Sequence, residues 1–262
     1  MPYQTILFEL KDNIARLTLN RPDKLNSFTE AMHLEVREAL NQVKESQARV
    51  LLITGAGRAF CAGQDLADRK TKPGEDSVDL GDSIENYYAP MVRTLRFLPL
   101  PVVAAVNGVA AGAGVSLALA CDLVIATKSA SFIQSFAKLG LIPDTGGTFF
   151  LPRLVGTARA LGLALLGERL SAEQAAAWGL IWRCVEDEAF KDAIEELVNT
   201  LAIAPTKGLA YTKAAINSSI GLLLDKQLDL ERDYMRELGH SNDFREGVTA
   251  FLEKRAPKFT GT

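Results

Sequence analysis

One carboxylate stands where it can do chemistry. In LIPDTGGTFF, residues 141–150, Asp144 lies between an apolar run and the pair Gly146-Gly147. An ionised carboxylate without partners is unstable among apolar groups, so Asp144 is a solvated turn residue, a helix cap, or a group held for proton transfer. Two glycine-rich turns offer the complementary half of such chemistry. Gly63-Gln64 in GAGRAFCAGQDL and Gly112-Ala113-Gly114 in GVAAGAG each follow an apolar strand. Turns of this kind aim backbone N–H groups at a developing negative charge, and a helix beginning near Gly114 adds its positive dipole end. The same glycines also serve simply to let a strand turn tightly into a helix.

Three functional readings compete at residues 112–116. A dinucleotide fingerprint needs a third glycine, which Gly112, Ala113, Gly114, Val115, Ser116 and Leu117 do not supply. A nucleophile elbow is the second, because Gly114-Val115-Ser116-Leu117-Ala118 has the hydrolase pattern with alanine in last place; it needs His240 as base. The third is an oxyanion hole for a thioester enolate with Asp144 as the acid/base beside it. Only two histidines exist, His33 and His240, and both are expected at the surface or an interface.

The elements that must position these residues follow from hydrophobic periodicity. TILFEL and IARLTL around Asp12-Asn13 read as a hairpin. From Thr29 the spacing turns helical, with Met32, Val36, Leu40 and Val43 on one stripe. RVLLITG, PVVAAVNG and DLVIA are short continuous apolar strands alternating with helices, which predicts an α/β core with a largely parallel sheet buried on both faces. Beyond Gly147 the chain reads as mostly helical, with Ser171 and Glu173 opening one helix in N-cap style. A division into residues 1–200 and a helical region 201–262 is expected. Residues 67–81, ADRKTKPGEDSVDLG, form a charged insert that is either a lid or a solvated surface loop.

The 262 residues carry a formal net charge of -3 and no Lys/Arg-rich block, which argues against nucleic acid or anionic lipid as partners. No leader pattern opens the chain and no run reads as apolar over a bilayer's width, so a cytoplasmic location with no membrane partner is the expectation. Cys61, Cys121 and Cys184 lack metal-ligand spacing and read as small core residues in a reducing compartment, with no metal site.

Longer motifs carry a resemblance. LNRPDKLNSF, FCAGQDL, PVVAAVNGVAAGAGVSLALACDLVIA, KLGLIPDTGGTFFLPRLVG and LGERLSAEQAAAWGL stand in the family order of the enoyl-CoA hydratase/isomerase (crotonase) superfamily and cover most of the chain. The segments DLGDSIENYYAPMVRTLRFLPLP and QLDLERDYMRELGHSNDFREGVTAFLEKRAPKFTG further resemble the branch that isomerises ring-1,2-epoxyphenylacetyl-CoA.

This resemblance implies a crotonase-like spiral of ββα units with a helical C-terminal trimerisation region, assembling as a homotrimer or hexamer. It implies oxyanion donors at the N–H groups of Gln64 and Ala113, although many members carry glycine at the second position. The two glutamates of the hydratases map onto Ser116 and Phe136, neither of which can shuttle a proton near neutral pH. A carboxylate stands instead at Asp144, where some isomerases of the superfamily place their working aspartate. Burial there would favour its protonated form and suit it to act as base and acid in turn. Phe136, Leu141, Phe149 and Phe150 are the expected apolar setting.

Coenzyme A, as part of the substrate and with no separate cofactor, is expected along Lys24, Leu25, Ala62, Gln64, Asp65 and Leu66. Lys24 is otherwise a solvated charge, and Asp65 and Asp68 are otherwise structural. Tyr87, Tyr88 and Met91 are the acyl-pocket candidates, with helix packing as the plain alternative. The implied activity is a double-bond shift in an acyl-CoA thioester, extending to expansion of an aromatic epoxide to an oxepin. A fatty-acid 3-enoyl-CoA isomerase, a serine hydrolase at Ser116 and a non-catalytic CoA-binding subunit are the alternatives.

Overall fold

The computed structural model describes residues 3–69 and 79–262. The chain opens with the antiparallel pair β1 (Ile6–Lys11) and β2 (Ile14–Leu19), turned at Asp12 and Asn13, which both adopt positive φ. Helix α1 (Glu30–Glu45) begins at Thr29, whose side chain accepts from the Met32 N–H.

Three strand pairs then repeat one plan. β3 (Val50–Gly55) is followed by β4 (Ala59–Cys61), β5 (Val102–Val106) by β6 (Val109–Ala111), and β7 (Leu123–Thr127) by β8 (Ser131–Ile133). The first strand of each pair joins a six-stranded sheet, and the second joins a four-stranded one. Helices α2 (Leu80–Ser83) and α3 (Ala89–Phe97), with a π-turn at Ile84–Tyr88 between them, follow the first pair. Helix α4 (Ala113–Ala120) follows the second and α5 (Gly147–Leu166) the third. β9 (Arg169–Ser171), α6 (Ala172–Ala177) and β10 (Arg183–Val185) complete the sheets, in the orders β1-β2-β3-β5-β7-β10 and β4-β6-β8-β9.

All pairings from β2 to β10 across the large sheet are parallel, with Leu51 opposite Val102 and Val103 opposite Leu123. Alternate residues of β3 serve opposite cores: Leu51 and Ile53 face the main cluster, while Val50 and Leu52 pack with Ile194, Val198 and Ala202. The latter three lie on α7 (Phe190–Ala202), so these strands read as unbroken apolar runs because both faces are covered.

The C-terminal helices are α8 (Thr206–Ser219), α9 (Leu224–Leu238) and α10 (Asn242–Leu252). The division expected after residue 200 falls in the last turn of α7 rather than between elements. Arg49 ties this region back to the core through the Thr206 hydroxyl at 2.8 Å and the Phe259 carbonyl at 3.0 Å.

One expectation fails at α5, which by length and composition alone is apolar enough to cross a bilayer. The helix breaks at Gly156, held at φ 78°, and Phe150, Leu151, Val155, Ala160 and Leu163 enter the protein core. Residues 70–78, the centre of the insert read as lid or loop, lie outside the described residues.

Candidate active site

The Gln64 turn is built by hydrogen bonds on the far side of its own peptide. The Gly63 carbonyl accepts from the Phe28 N–H at 2.7 Å, and the Asp65 N–H donates to the Phe28 carbonyl at 2.9 Å. In a planar trans peptide the N–H and C=O point in opposite directions, so anchoring the Gly63 carbonyl on Phe28 turns the Gln64 N–H away from it. Gly63 itself holds φ 88°, and a side chain there would meet the Ala111 carbonyl at 3.0 Å and the Ala113 nitrogen at 3.2 Å. Glycine is what lets the two turns approach.

The second turn uses the same logic. Gly112 adopts φ 52° and ψ -126°, a conformation open in practice to glycine alone, and its carbonyl accepts the Val115 N–H at 3.0 Å as α4 begins. The Ala113 N–H therefore points backward out of the helix N-terminus, where the helix dipole adds to it. Gly114 lies against β4, since a side chain there would stand 2.1 Å from the Cys61 carbonyl.

A cavity of about 140 Å³ brings the two turns together with the carboxylate; Gln64, Gly112, Ala113, Phe136, Leu141 and Asp144 all line it. Asp144 is half-buried and accepts from the Thr145 hydroxyl at 2.9 Å. Thr145 holds φ 53°, uncommon for a β-branched residue, in the turn that leads through Gly146 into α5. Ala62, Leu66 and Tyr88 complete the expected residues on the wall. Leu80, Ser83, Ile84, Ser135 and Leu139 also line it, and sequence reasoning named none of them. Ser135 directly precedes Phe136, which is a signal in the sequence; Leu80, Ser83 and Ile84 come from α2 and the start of the π-turn, and Leu139 from the short 3-10 turn Ser135–Leu139.

Lys24, Leu25 and Asp65 are not on that wall. Lys24 is exposed, in a turn where Leu25 adopts φ 50° and its carbonyl accepts the Ala62 N–H at 2.9 Å. Asp65 faces Arg21 at 2.9 Å, and that hydrogen bond holds its carboxyl below the usual carboxylate range. Arg21 also donates to the Ser27 carbonyl at 2.5 Å, so the pair fastens the Gln64 turn to the N-terminal turn.

Several expectations are corrected. Phe149 and Phe150 turn away from Asp144 into a groove shared with Arg96 and α8. Met91 is buried in the main core, and the Tyr87 hydroxyl donates to Glu30 at 2.7 Å. His33, expected at the surface or an interface, is buried and packs its ring with Phe28 at 4.6 Å and Tyr88 at 4.4 Å. The Ser116–His240 pair of the hydrolase reading does not form: Ser116 is fully buried, its hydroxyl without a hydrogen-bond partner among the described residues, and His240 is exposed beyond α9. Cys61 is the small core residue expected, fully buried, and burial pushes its thiol up to about 12.

The geometry brings two turns with outward-directed backbone N–H groups and one half-buried carboxylate to the same cavity. The family model for enoyl-CoA hydratase/isomerase matches residues 9–262. The chain belongs to the enoyl-CoA hydratase/isomerase family. It is 57% identical to the 1,2-epoxyphenylacetyl-CoA isomerase of Escherichia coli K12, over 98% of each chain. It is also 46% identical to a probable enoyl-CoA hydratase of Rhodobacter capsulatus over the full length of both. Among solved structures, the enoyl-CoA hydratase of Bacillus anthracis superposes with a TM-score of 0.90 at 34% identity, covering 99% of this chain and 100% of that one. The ββα repeat described above is thus the fold of this family.

Proposed function

We propose that this chain isomerises acyl-CoA thioesters by proton transfer, with ring-1,2-epoxyphenylacetyl-CoA as its substrate and 3-enoyl-CoA thioesters as simpler ones. The observation that carries this is the one carboxylate that lines the cavity among the described residues: Asp144 lies with the Gln64 and Ala113 turns, while the two positions that hold glutamates in hydratases are a buried Ser116 and the ring of Phe136.

In this reading the thioester oxygen accepts from the N–H groups of Gln64 and Ala113. These bonds strengthen as the oxygen gains charge, so they favour the transition state over the bound substrate. Asp144 takes a proton from the carbon next to the carbonyl, and the electron pair of that C–H bond passes into the enolate. Asp144 then returns the proton at the vinylogous carbon, shifting the double bond into conjugation. Because the oxidation state does not change, the reaction itself calls for no redox cofactor. On the aromatic epoxide the same site serves expansion to the isomeric seven-membered oxepin, again with no atom gained or lost.

Coenzyme A would run along the Lys24–Leu25 turn and the Ala62 carbonyl, with Lys24 toward a phosphate. The exposed apolar residues of the C-terminal helices, among them Ile216, Leu228 and Met235, support assembly into a trimer or hexamer. We place the protein in the cytoplasm.

The test is to offer the purified protein a 2-enoyl-CoA in oxygen-18-labelled water, and separately a 3-enoyl-CoA and the ring epoxide. Isomerised products without oxygen-18 incorporation are expected. Efficient hydration of the 2-enoyl-CoA would overturn the reading.

A further inference from the structure

The Gln64 side chain is not free to meet a substrate. Its Nε2 donates to the Phe28 carbonyl at 3.0 Å, and its Oε1 accepts from the Tyr88 hydroxyl at 2.9 Å. Phe28 is the residue whose backbone already holds the peptides on both sides of Gln64. The Tyr88 hydroxyl therefore closes a loop of bonds around the Gln64 peptide, one of the two whose N–H groups are directed at the cavity.

Tyr88 is itself held firmly. It is 2% exposed, its ring stands edge-on to His33 at 4.4 Å, and it lies 6.0 Å from Phe28. It ends the π-turn Ile84–Tyr88, in which the Ala89 N–H donates to the Ile84 carbonyl. Pro90 follows and has no N–H to continue that wider pattern, so the turn is confined to this place. Such single π-turns inject one residue into a helix and re-aim the side chains near it. Here Tyr88 is carried to the cavity wall with its hydroxyl on Gln64 rather than in the open space.

We infer that Tyr88 is a positioning residue of the oxyanion turn, acting through the Gln64 side chain to keep the Gln64 backbone N–H aimed at the thioester oxygen. This rests on the isomerase reading above for the identity of the ligand, and goes beyond it in giving the Tyr88 hydroxyl and the Gln64 amide a shared task. A residue that merely walls the acyl pocket would do so with its ring; the positioning task needs the oxygen.

Tyr88→Phe separates the two, since it keeps the ring and removes only the hydroxyl. With a 3-enoyl-CoA, kcat is expected to fall about tenfold with KM changed less than threefold, a smaller loss than deleting an oxyanion donor outright. Gln64→Leu keeps the backbone N–H and is expected to lose a similar factor. The double variant should be no worse than about twofold below the poorer single, because both act through one bond. A second readout needs no turnover: a conjugated chromophoric CoA thioester absorbs at longer wavelength when its carbonyl is polarised. Wild type and Asp144→Asn should both show that shift on binding, and Tyr88→Phe should lose at least half of it. Retention of wild-type kcat within twofold together with the full spectral shift in Tyr88→Phe, or losses that multiply in the double variant, would overturn the inference. Absence of wild-type turnover with an intact, Tyr88-dependent shift would instead overturn the isomerase reading and leave this one standing.

Discussion

Gly147 lies against Ser116 so closely that a methyl group on Gly147 would stand 2.8 Å from the Ser116 Oγ and 3.1 Å from the Pro143 Cβ. The first residue of α5 is thereby packed onto α4, and the Asp144 carbonyl, which accepts the Gly147 N–H at 2.7 Å, is carried with it. The hydratase-glutamate position is consequently a sealed contact beneath the aspartate turn, with no room for a longer side chain.

Gly147→Ala should therefore destabilise the protein by about 1–3 kcal/mol, the usual effect of overpacking a filled site, and lower turnover by displacing Asp144. Ser116→Ala removes a buried hydroxyl that has no hydrogen-bond partner among the described residues, so its melting temperature should match or exceed wild type with activity retained. The double variant should recover part of the Gly147→Ala loss. Thermal melts of the three variants check this; a Ser116→Ala protein that folds but is inactive would contradict the role assigned to that contact.

The Arg21–Asp65 pair gives the Gln64 turn a pH dependence. Arg21 lowers the folded-state pKa of Asp65 below its unfolded value, so the stabilisation is present above the ordinary carboxylate range and is lost as pH falls through the lowered value. Asp65→Asn should melt lower at neutral pH by roughly 2–4 °C, for a loss of about 1 kcal/mol. That difference should shrink as the pH is taken below about 4. A difference independent of pH down to the acid transition would rule out the ion pair as its source.

Lys213 on α8 is anchored to the core by three acceptors: Asp122 at 2.8 Å, the Leu95 carbonyl at 2.8 Å and the Leu100 carbonyl at 3.2 Å. Burial pushes Asp122 up and Lys213 down, each against the pull of the other, so neither charge is comfortable without its partner. Lys213→Met should cost about 3–5 kcal/mol, because it takes the ion-pair partner from a buried Asp122 that keeps the Val102 N–H at 2.8 Å and the charge of Arg96. Asp122→Asn in the same chain should restore part of the loss, as chemical denaturation of the single and double variants would read. Equal stability of wild type and Lys213→Met would show that α8 is held by apolar contact alone.

Residues near in sequence and rich in pattern are legible in the chain itself. The strands from Val50, Val102 and Leu123 announce themselves as unbroken apolar runs, and Gly63 and Gly112 mark turns that do face one cavity. The four-stranded sheet was not legible, since β4, β6, β8 and β9 have three residues each and no periodicity fits so few. His33 was misplaced because the stripe of α1 runs through Met32 and Val36, and the rings that bury it, Phe28 and Tyr88, meet only in the folded chain. Arg21 with Asp65 and Lys213 with Asp122 are invisible for the same reason: 44 residues separate the first pair, and α8 reaches β7 only through tertiary packing. Phe149 and Phe150 sit beside Asp144 in sequence, yet the positive φ of Thr145 and Gly146 turns the chain before them.

The central claim is that Asp144 carries the proton, and its most direct test is isotope transfer by wild type and Asp144→Asn. Both proteins would be incubated with a 3-enoyl-CoA in deuterated water, following conjugated product by ultraviolet absorbance and deuterium uptake by mass spectrometry. Wild type should form product with deuterium, and the folded, thioester-binding variant should fall by about 100-fold or more in both. Conjugation and exchange by Asp144→Asn at near the wild-type rate would contradict the claim.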